Sequence, residues 1–422
     1  MGWQSGEGDV RPVLRQERIE AIDILRGVAI LGILLVNMGL FSRPEGLPAG
    51  AMDRLIYFFA QEKFKALFSF LFGLGLAVQM LRAEERGAQF LPLYARRLGV
   101  LFLIGVAHFL FVWDGDILHD YALLGLVLPL VRHSSPKTLL VGAGALLAIP
   151  LLFFGLTTAS SITGHVNPQV KEWIAYENGP EADGTVADVS DTYSRGSYGG
   201  LIALRASELP RDMSPDTDDA YVLALFLLGL YAGRRRIFHD IPAHLSVLRR
   251  VQRWGLIVGV AGNVAFAVGG SFDPSPTSVM QNVGRLCLVV AAPAMMLFYA
   301  STIILLTQRE TWRRRLAPLA AVGRTALSNY LLQSLICTTV FYGYGLGLFG
   351  KVSPSLGLLL TVVIFLIQIP LSVWWLGRFQ FGPVEWLWRS LTYWQRQPMR
   401  VSASVARVGA QHAAPLPPGA MT

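Results

Sequence analysis

Charged residues are scarce in this sequence. Asp, Glu, Lys and Arg make up 15% of the 422 residues, whereas they make up about 25% of a typical soluble domain. Hydrophobic residues make up 53%, and the mean hydropathy is +0.46. This composition excludes an intrinsically disordered chain and predicts a protein that is solvated largely by lipid.

Cysteine is almost absent as well. The chain has two, Cys287 and Cys337, and both lie in apolar stretches. Two cysteines supply neither a disulfide framework nor a four-cysteine zinc site, so we expect both thiols to pack as small hydrophobic groups. Walker A, paired zinc-binding and GxSxG motifs are also missing, and we expect no metal ion.

Long apolar runs are abundant. Ten windows are long enough to cross a membrane, which takes roughly 17 to 25 residues each. They lie at about residues 22–41, 64–81, 97–113, 116–131, 137–157, 219–234, 254–272, 283–307, 322–346 and 355–377. The sequence therefore predicts an all-α integral membrane protein with about ten transmembrane helices.

Lys and Arg are distributed unevenly between the two sides that these windows define. If the N-terminus is cytoplasmic, the inner segments carry 24 of these residues and the outer segments carry 8. The positive-inside rule then predicts an N-in, C-in topology. The same bias explains the net charge of +8. We therefore expect no nucleic-acid partner. We expect the arginine run at 234–236 to contact anionic lipids.

The windows divide the chain into six parts. We expect a cytoplasmic segment at 1–21, a five-helix half at 22–157, an acidic extracytoplasmic loop at 158–218, a second five-helix half at 219–377, an interfacial amphipathic helix at 378–397 and a disordered tail at 398–422. The Trp-rich composition of the amphipathic segment suits the inner leaflet boundary. The two halves do not resemble one another, so the repeat that many transporters carry is not evident.

Polar side chains inside apolar windows are costly in lipid and therefore need a reason. In the first window, Asp23 and Arg26 share a helix face. This spacing is typical either of a structural ion pair or of a cation presented to an anionic ligand. Asn37 follows Asp23 by 14 residues, and its amide also needs a hydrogen-bonding partner.

The third window carries a histidine, His108, which is followed by Asp114 and Asp116. Imidazole titrates near neutral pH and acts as a general base, and a carboxylate within reach orients it. A structural hydrogen bond is the alternative interpretation. Arg97 precedes His108 by three helical turns, so this helix would present a cation at one end and the imidazole deeper on the same face.

Amides occur in the ninth window, where Asn329 and Gln333 share a face at i and i+4. Hydrogen bonds between helices explain these amides as well as substrate binding does. Arg324, at the inner end of this window, either extends to the interface or binds phosphate. Lys63 lies at the mouth of the second window, where extension to the interface is usual. We treat Asn329, Gln333 and Lys63 as candidate substrate-binding residues.

Five runs carry a resemblance to a known family. They are DILRGVAILGILLVN (23–37), KFKALFSFLFG (63–73), HFLFVWDGDIL (108–118), GRTALSNYLLQSLICTTVFY (323–342) and GPVEWLWRSLT (382–392). They are similar to the YeiB-like family of bacterial inner-membrane proteins, a domain of unknown function, in the same order along nearly the whole chain. The resemblance implies a multi-pass protein of the bacterial cytoplasmic (inner) membrane.

The first helix also resembles that of transmembrane acyltransferases, including the lysosomal heparan glucosaminide N-acetyltransferase. The shared pattern is Asp23, Arg26-Gly27 and Asn37. These enzymes take an acyl group from cytoplasmic acyl-CoA and pass it to an acceptor across the membrane. They also carry an active histidine in the loop after that asparagine, and residues 42–51 contain none. His108 would therefore have to supply this function from another helix.

Together, the residues and the resemblance predict a membrane-embedded acyltransferase with acyl-CoA as its cosubstrate. The donor phosphates would bind Arg26, Arg97 or Arg324. His108, oriented by Asp114 or Asp116, would deprotonate a hydroxyl or amine of a lipid or glycan acceptor that is reached from the outer side.

Asn37, and also Gln333, would donate hydrogen bonds to the oxyanion of the intermediate. A transporter or lipid flippase that uses the same polar interior is the alternative, and the oligomeric state is open.

The charge distribution leads to a topology prediction. Single cysteines at Ser190 and Ser246, in a background without Cys287 and Cys337, should differ in their reaction with an impermeant maleimide added to intact cells. The cysteine at position 190 should be labelled and the one at position 246 should not, because the arginine-rich segments stay inside. The reverse pattern would invert the orientation and exchange the donor and acceptor sides.

Overall fold

Helices dominate the structure because a segment in lipid can satisfy its N–H and C=O groups only internally. The structure, a computed structural model, describes residues 19–43, 50–85, 87, 90–164, 186–269 and 278–400. Within these ranges the backbone forms helices and turns, with one isolated antiparallel bridge between Phe379 and Arg400. The predicted all-α membrane class is confirmed.

Fifteen α-helices occur in the described part of the chain. They are α1 (Glu20–Ser42), α2 (Ala51–Phe59), α3 (Lys63–Glu85), α4 (Phe90–Phe111), α5 (Leu118–Gly125), α6 (Pro136–Thr163), α7 (Val186–Arg195), α8 (Tyr198–Asp212), α9 (Thr217–Arg234), α10 (Leu245–Gly269), α11 (Val279–Thr307), α12 (Glu310–Arg324), α13 (Ala326–Phe341), α14 (Pro354–Arg378) and α15 (Pro383–Tyr393). Short 3-10 turns lie at Leu128–Val131 and Pro242–His244.

Local sequence signals set the ends of α6. Ser135 caps its N-terminus by accepting a hydrogen bond from the backbone N–H of Thr138 at 3.1 Å, and Pro136 occupies the first helical position. Proline is favoured there because the first N–H has no helical partner. The helix ends at Gly164, whose φ of +67° is a left-handed conformation that glycine adopts without strain.

Seven helical segments among the described residues are long and apolar enough to cross a membrane. They are Glu20–Ser42, Ala51–Glu85, Phe90–Phe111, Pro136–Thr163, Pro242–Val268, Val279–Thr307 and Pro354–Arg378. The chain is therefore a multi-pass membrane protein.

The other three sequence windows coincide with Leu118–Val131, α9 and α13. The apolar helices Leu118–Val131 and α13 have fewer than 18 residues, so each is shorter than the hydrocarbon core at about 1.5 Å per residue. Helix α9 carries three charged residues, Asp218, Asp219 and Arg234, and it is not one of the seven segments. The count of ten spans and the N-in, C-in topology stay predictions.

The loop predicted at 158–218 is partly helical. Helix α6 extends into it to Thr163, and α7 and α8 occupy much of its second half. Most of the segment predicted to be cytoplasmic (1–21), residues 165–185 of the predicted loop and nearly all of the predicted tail (398–422) lie outside the described residues.

Helix α15 coincides with the predicted amphipathic helix, and it is docked on the bundle. The indole N–H of Trp388 donates to the Arg97 carbonyl of α4 at 2.9 Å. Its position relative to a membrane surface stays a prediction.

Helix α1 packs against α3, α12, α13 and α14 and so lies inside the bundle. Its crossing with α12 depends on two glycines, because Gly27 lies against the Leu319 carbonyl and Gly323 lies against the Asp23 carbonyl. A Cβ atom at either glycine would meet the facing backbone. Small residues of this kind allow helix backbones to approach closely in membranes.

The α1–α12 crossing leads to a stability prediction. Gly323→Ala should lower the free energy of unfolding by about 1 to 3 kcal/mol, the usual cost of overpacking, because the new methyl group meets backbone that cannot rotate away. The measurement is thermal unfolding of the protein in detergent. Gly144→Ala on α6, where a Cβ has open space, is the matched control and should be neutral. Equal stability of both variants would show that the crossing tolerates separation.

Candidate functional site

Two cavities adjoin the same helices. The first, which we call the basic cavity, has a volume of about 180 Å³ and is lined by Arg26, Arg97, Arg324 and Arg389. The structure thus brings together the three arginines for which sequence analysis predicted anion binding, from α1, α4 and α12. Guanidinium groups that converge in a cleft repel one another and create a positive field, which favours an anionic ligand.

Three of these arginine side chains are held by contacts with neighbouring side chains. Nη1 of Arg26 lies 3.2 Å from Oδ1 of Asp23, so the predicted ion pair is formed. The guanidinium of Arg97 lies over the Trp388 ring at 4.1 Å from its centroid, and that of Arg389 lies over the Phe381 ring at 4.7 Å. Stacking leaves the edges of a guanidinium available for hydrogen bonds.

A half-buried carboxyl group lies beside these arginines. Glu385 of α15 lines the basic cavity and accepts hydrogen bonds from the backbone N–H and the hydroxyl of Ser328, at 3.1 and 2.5 Å. Burial raises the pKa of the Glu385 carboxyl above its usual range, and the hydrogen bonds from Ser328 oppose that shift. This contact fixes α15 on α13.

The second cavity, which we call the apolar groove, has a volume of about 720 Å³. Helices α4, α13, α14 and α15 form its walls, mainly through apolar side chains such as Ile104, Leu332 and Trp375. His108 and Asn329 are two of the polar residues in the walls. The groove therefore combines a large apolar volume with a titratable imidazole.

His108 is oriented by a carboxylate, and that carboxylate is Asp116. Nδ1 of His108 lies 2.7 Å from Oδ1 of Asp116, and both side chains are buried. Oδ2 of Asp116 accepts from the backbone N–H groups of Leu118 and His119, at 2.9 and 3.2 Å. Nε2 of His108 is buried and has no hydrogen-bond partner among the described residues. A fixed Nδ1 with an unoccupied Nε2 is the arrangement that a general base requires.

Asp114, the other predicted orienting acid, has a different environment. It accepts a hydrogen bond from the Tyr193 hydroxyl at 2.5 Å, and its Oδ1 lies 4.0 Å from Nε of Arg205. Arg205 is fully buried. Asp114 therefore holds α7 and α8 near the end of α4, and the structure does not bring it to His108.

The hydrogen-bonded chain continues beyond Asp116. Oδ2 of Asp116 lies 3.1 Å from Nδ1 of His119, and Nε2 of His119 lies 2.7 Å from Oδ2 of Asp212. The Asp212 side chain is 36% exposed, whereas that of His119 is fully buried. The chain thus connects buried His108 with an acid at the surface. Sequence reasoning missed Asp212 because it lies 93 residues from His119, and no local pattern marks it.

The same cluster contains a geometrically possible cation site. His119, Asp120 and Asp212 offer ligand atoms within 4.8 Å of one another. His119 already bridges Asp116 and Asp212 through its two ring nitrogens. Both ring nitrogens of His119 are therefore engaged with carboxylates, and the absence of a metal ion stays a prediction.

The predicted amides are engaged within the protein. The Asn329 side chain lines the apolar groove but donates to Thr325 at 2.9 Å and to Ser372 at 3.0 Å. The Gln333 amide donates to Gln368 of α14 at 2.7 Å. Both contacts fit the alternative interpretation, hydrogen bonds that hold helices together.

Two further predicted residues lie apart from the cavities. Asn37 is half-buried in the second half of α1 and is not among the residues that line either cavity. Lys63 is fully buried, and its ammonium group donates to the Tyr57 carbonyl at 2.6 Å. Lys63 thus stays inside the structure rather than extending outward as expected.

Comparison with known proteins gives two family matches. Residues 232–395 match a family described as "Protein of unknown function (DUF418)", and residues 18–170 match one described as "Heparan-alpha-glucosaminide N-acetyltransferase, catalytic". The second match includes α1, His108 and Asp116.

Three relatives match nearly end to end. The chain is 38% identical over 418 residues to the uncharacterized protein YxaH of Bacillus subtilis (strain 168), covering 94% of this chain and 99% of the relative. It is 35% identical over 400 residues to the uncharacterized protein YeiB of Escherichia coli (strain K12), covering 89% and 96%. It is 30% identical over 403 residues to an uncharacterized 39.9 kDa protein of Bacillus acidopullulyticus, covering 92% and 97%.

Proposed function

The chain belongs to the YeiB-like family, which carries the DUF418 region, and from this premise we propose that it is a membrane-embedded acyltransferase. The N-terminal match to an N-acetyltransferase catalytic region supports this reaction class. The proposed enzyme transfers an acyl group from cytoplasmic acyl-CoA to a hydroxyl or amine acceptor that is reached from the outer side of the bacterial inner membrane.

The observation that carries the proposal is the environment of the His108 side chain. Its Nδ1 is paired with Asp116, its Nε2 is buried without a protein partner, and its side chain lines a large apolar groove. A histidine that served only for packing would be expected to have both nitrogens satisfied or one in water, since an unsatisfied buried polar atom costs about 1 to 3 kcal/mol. A substrate group that donates a hydrogen bond to Nε2 would offset this cost.

The donor binds across both cavities. Its phosphates lie in the basic cavity, where Arg26, Arg97 and Arg324 converge. Helix α4 connects the two cavities, because Arg97 lines the first and His108 lines the second. Eleven residues of helix separate them, a rise of about 16 Å at 1.5 Å per residue. The pantetheine arm follows this direction and brings the thioester to His108.

One general base is sufficient for the transfer step. Nε2 of His108 takes the proton of the acceptor hydroxyl or amine as the acceptor atom attacks the thioester carbonyl carbon. The new bond joins the acceptor oxygen or nitrogen to the acyl carbon, and the carbon–sulfur bond breaks. The imidazolium then returns its proton to the leaving thiolate and yields free CoA. Asp116 stabilises the imidazolium and keeps the proton on Nδ1 in place.

The predicted oxyanion donors are not supported by their positions. The Gln333 amide is engaged with Gln368, and Asn37 lines neither cavity. We therefore base the proposal on the His108–Asp116 pair and the arginines, without assigning the oxyanion donor.

A lipid transporter is the second candidate. A basic cavity beside an apolar groove also matches a phospholipid, whose headgroup carries a phosphate and whose tails are apolar. This protein would bind lipid in the same place without breaking a covalent bond, so covalent turnover separates the two functions.

The test uses full-length protein in detergent with radiolabelled acyl-CoA, and it measures both binding and release of free CoA in the presence of membrane lipid and glycan acceptors. His108→Ala should lower turnover by about 10²- to 10⁴-fold, the usual contribution of a general base, with binding retained. Asp116→Asn should also lower turnover with binding retained, because it disturbs the tautomer of His108.

Arg97→Gln should weaken binding instead, since the basic cavity loses one cation. His133→Ala and Arg96→Ala are the matched controls, because both side chains are exposed and line neither cavity. Full turnover by the His108 variant would remove the base assignment. Binding of lipid without any release of CoA by the wild-type protein would favour the transporter.

A further inference from the structure

The apolar groove is much larger than a short acyl group needs. Its volume is about 720 Å³, whereas one water molecule occupies about 30 Å³ of the liquid and a methyl group is of similar size. An acetyl group at His108 would leave most of this space without hydrocarbon. Acetyl transfer therefore does not explain the size of the groove.

The hydroxyl and amide side chains of the groove wall are satisfied within the protein. Asn329 donates to Thr325 and Ser372, and Thr325 donates to Ser372 at 3.2 Å. The hydroxyl of Ser328 is hydrogen-bonded to Glu385. Within the described wall, Nε2 of His108 is the buried ring nitrogen that has no partner. The groove thus offers a ligand hydrocarbon contact along its length and one polar contact, at the imidazole.

Helix α15 joins the groove to the basic cavity. Val384 and Leu387 line the apolar groove, whereas Glu385, Trp388 and Arg389 line the basic cavity. Helix α13 is shared in the same way, because Leu327 lines the basic cavity and the next residue, Ser328, lines the groove. Because two helices line both cavities, a site for an anionic group lies beside an apolar one. This combination is complementary to an amphiphile that has a phosphate-bearing head and a hydrocarbon tail.

We propose that the apolar groove holds the hydrocarbon tail of the acyl donor, and that the protein selects medium- or long-chain fatty acyl thioesters over acetyl thioesters. The proposal rests on the acyltransferase function and specifies its donor class. The chain lies along α13 and α14, and the thioester carbonyl carbon lies beside Nε2 of His108. Burial of hydrocarbon then supplies affinity that grows with chain length until the groove is filled.

The test compares the dissociation constants of acetyl-CoA and octanoyl-CoA for the full-length protein in detergent. Each buried methylene strengthens binding by about fourfold when it leaves water for an apolar site, and less where detergent competes. We expect octanoyl-CoA to bind at least tenfold more tightly than acetyl-CoA. Equal affinities in the wild-type protein would overturn the proposal, even if both thioesters bind and react.

Variants that fill the groove test whether the preference for octanoyl-CoA arises there. Ala107→Trp and Leu332→Trp, from α4 and α13, should lower the affinity for octanoyl-CoA much more than the affinity for acetyl-CoA, so that the two dissociation constants approach one another. Leu152→Trp is the matched control, because Leu152 is an exposed apolar residue of α6 that lies outside both cavities. It should behave like the wild type. An octanoyl advantage that survives in both groove variants would place the tail elsewhere and overturn the proposal.

Three further outcomes distinguish failure of this proposal from failure of the function on which it rests. Binding and transfer of acetyl groups with no dependence on chain length would leave the acyltransferase in place and remove only the groove assignment. Absence of binding for every CoA thioester would remove both. A phospholipid that copurifies with the protein and is displaced by no thioester would assign the groove to a lipid tail, and that too would overturn the proposal.

Discussion

A carboxylate buried in a membrane protein is tolerated only when it is paired, and Asp116 is paired on both oxygens. One oxygen lies 2.7 Å from the His108 imidazole, and the other contacts the His119 ring and two backbone N–H groups at the start of α5. These contacts connect α4 to α5, and His119 extends them to α8 through Asp212. Removal of this charge would leave two imidazoles and a helix terminus without their shared partner. The position of His108 therefore depends on Asp116.

One helix places residues in both cavities. Helix α4 carries Arg97 in the basic cavity and His108 in the apolar groove, so a single rigid element separates them by a fixed distance. Helix α15 lines both cavities and is held by the contact of Glu385 with Ser328. Functional side chains on helices are positioned more precisely than functional side chains on loops. The proposed reaction needs this precision, because donor and acceptor would reach His108 from opposite ends of the bundle.

Sequence patterns predicted the parts of this site that local chemistry marks. An arginine at the end of an apolar helix is conspicuous, and the three predicted arginines do line one cavity. The His108–Asp116 pair was predictable because the two residues are eight apart, but spacing alone could not choose between Asp114 and Asp116. The choice depends on how the chain turns after α4. Asp212 and the pairing of Gln333 with Gln368 depend on contacts between distant helices, which no periodicity reveals. The number of membrane spans is hardest to predict, because short helices can pack inside the bundle as readily as they can cross it.

In the proposed mechanism, one ligand occupies both cavities with its reactive carbon at His108. The most direct measurement is an experimental structure of the full-length protein with a non-hydrolysable fatty acyl-CoA in which a thioether replaces the thioester. We expect the phosphates to contact Arg97, the hydrocarbon tail to lie in the apolar groove and the thioether to lie beside Nε2 of His108. A ligand that binds with its sulfur remote from His108, or outside both cavities, would contradict the account.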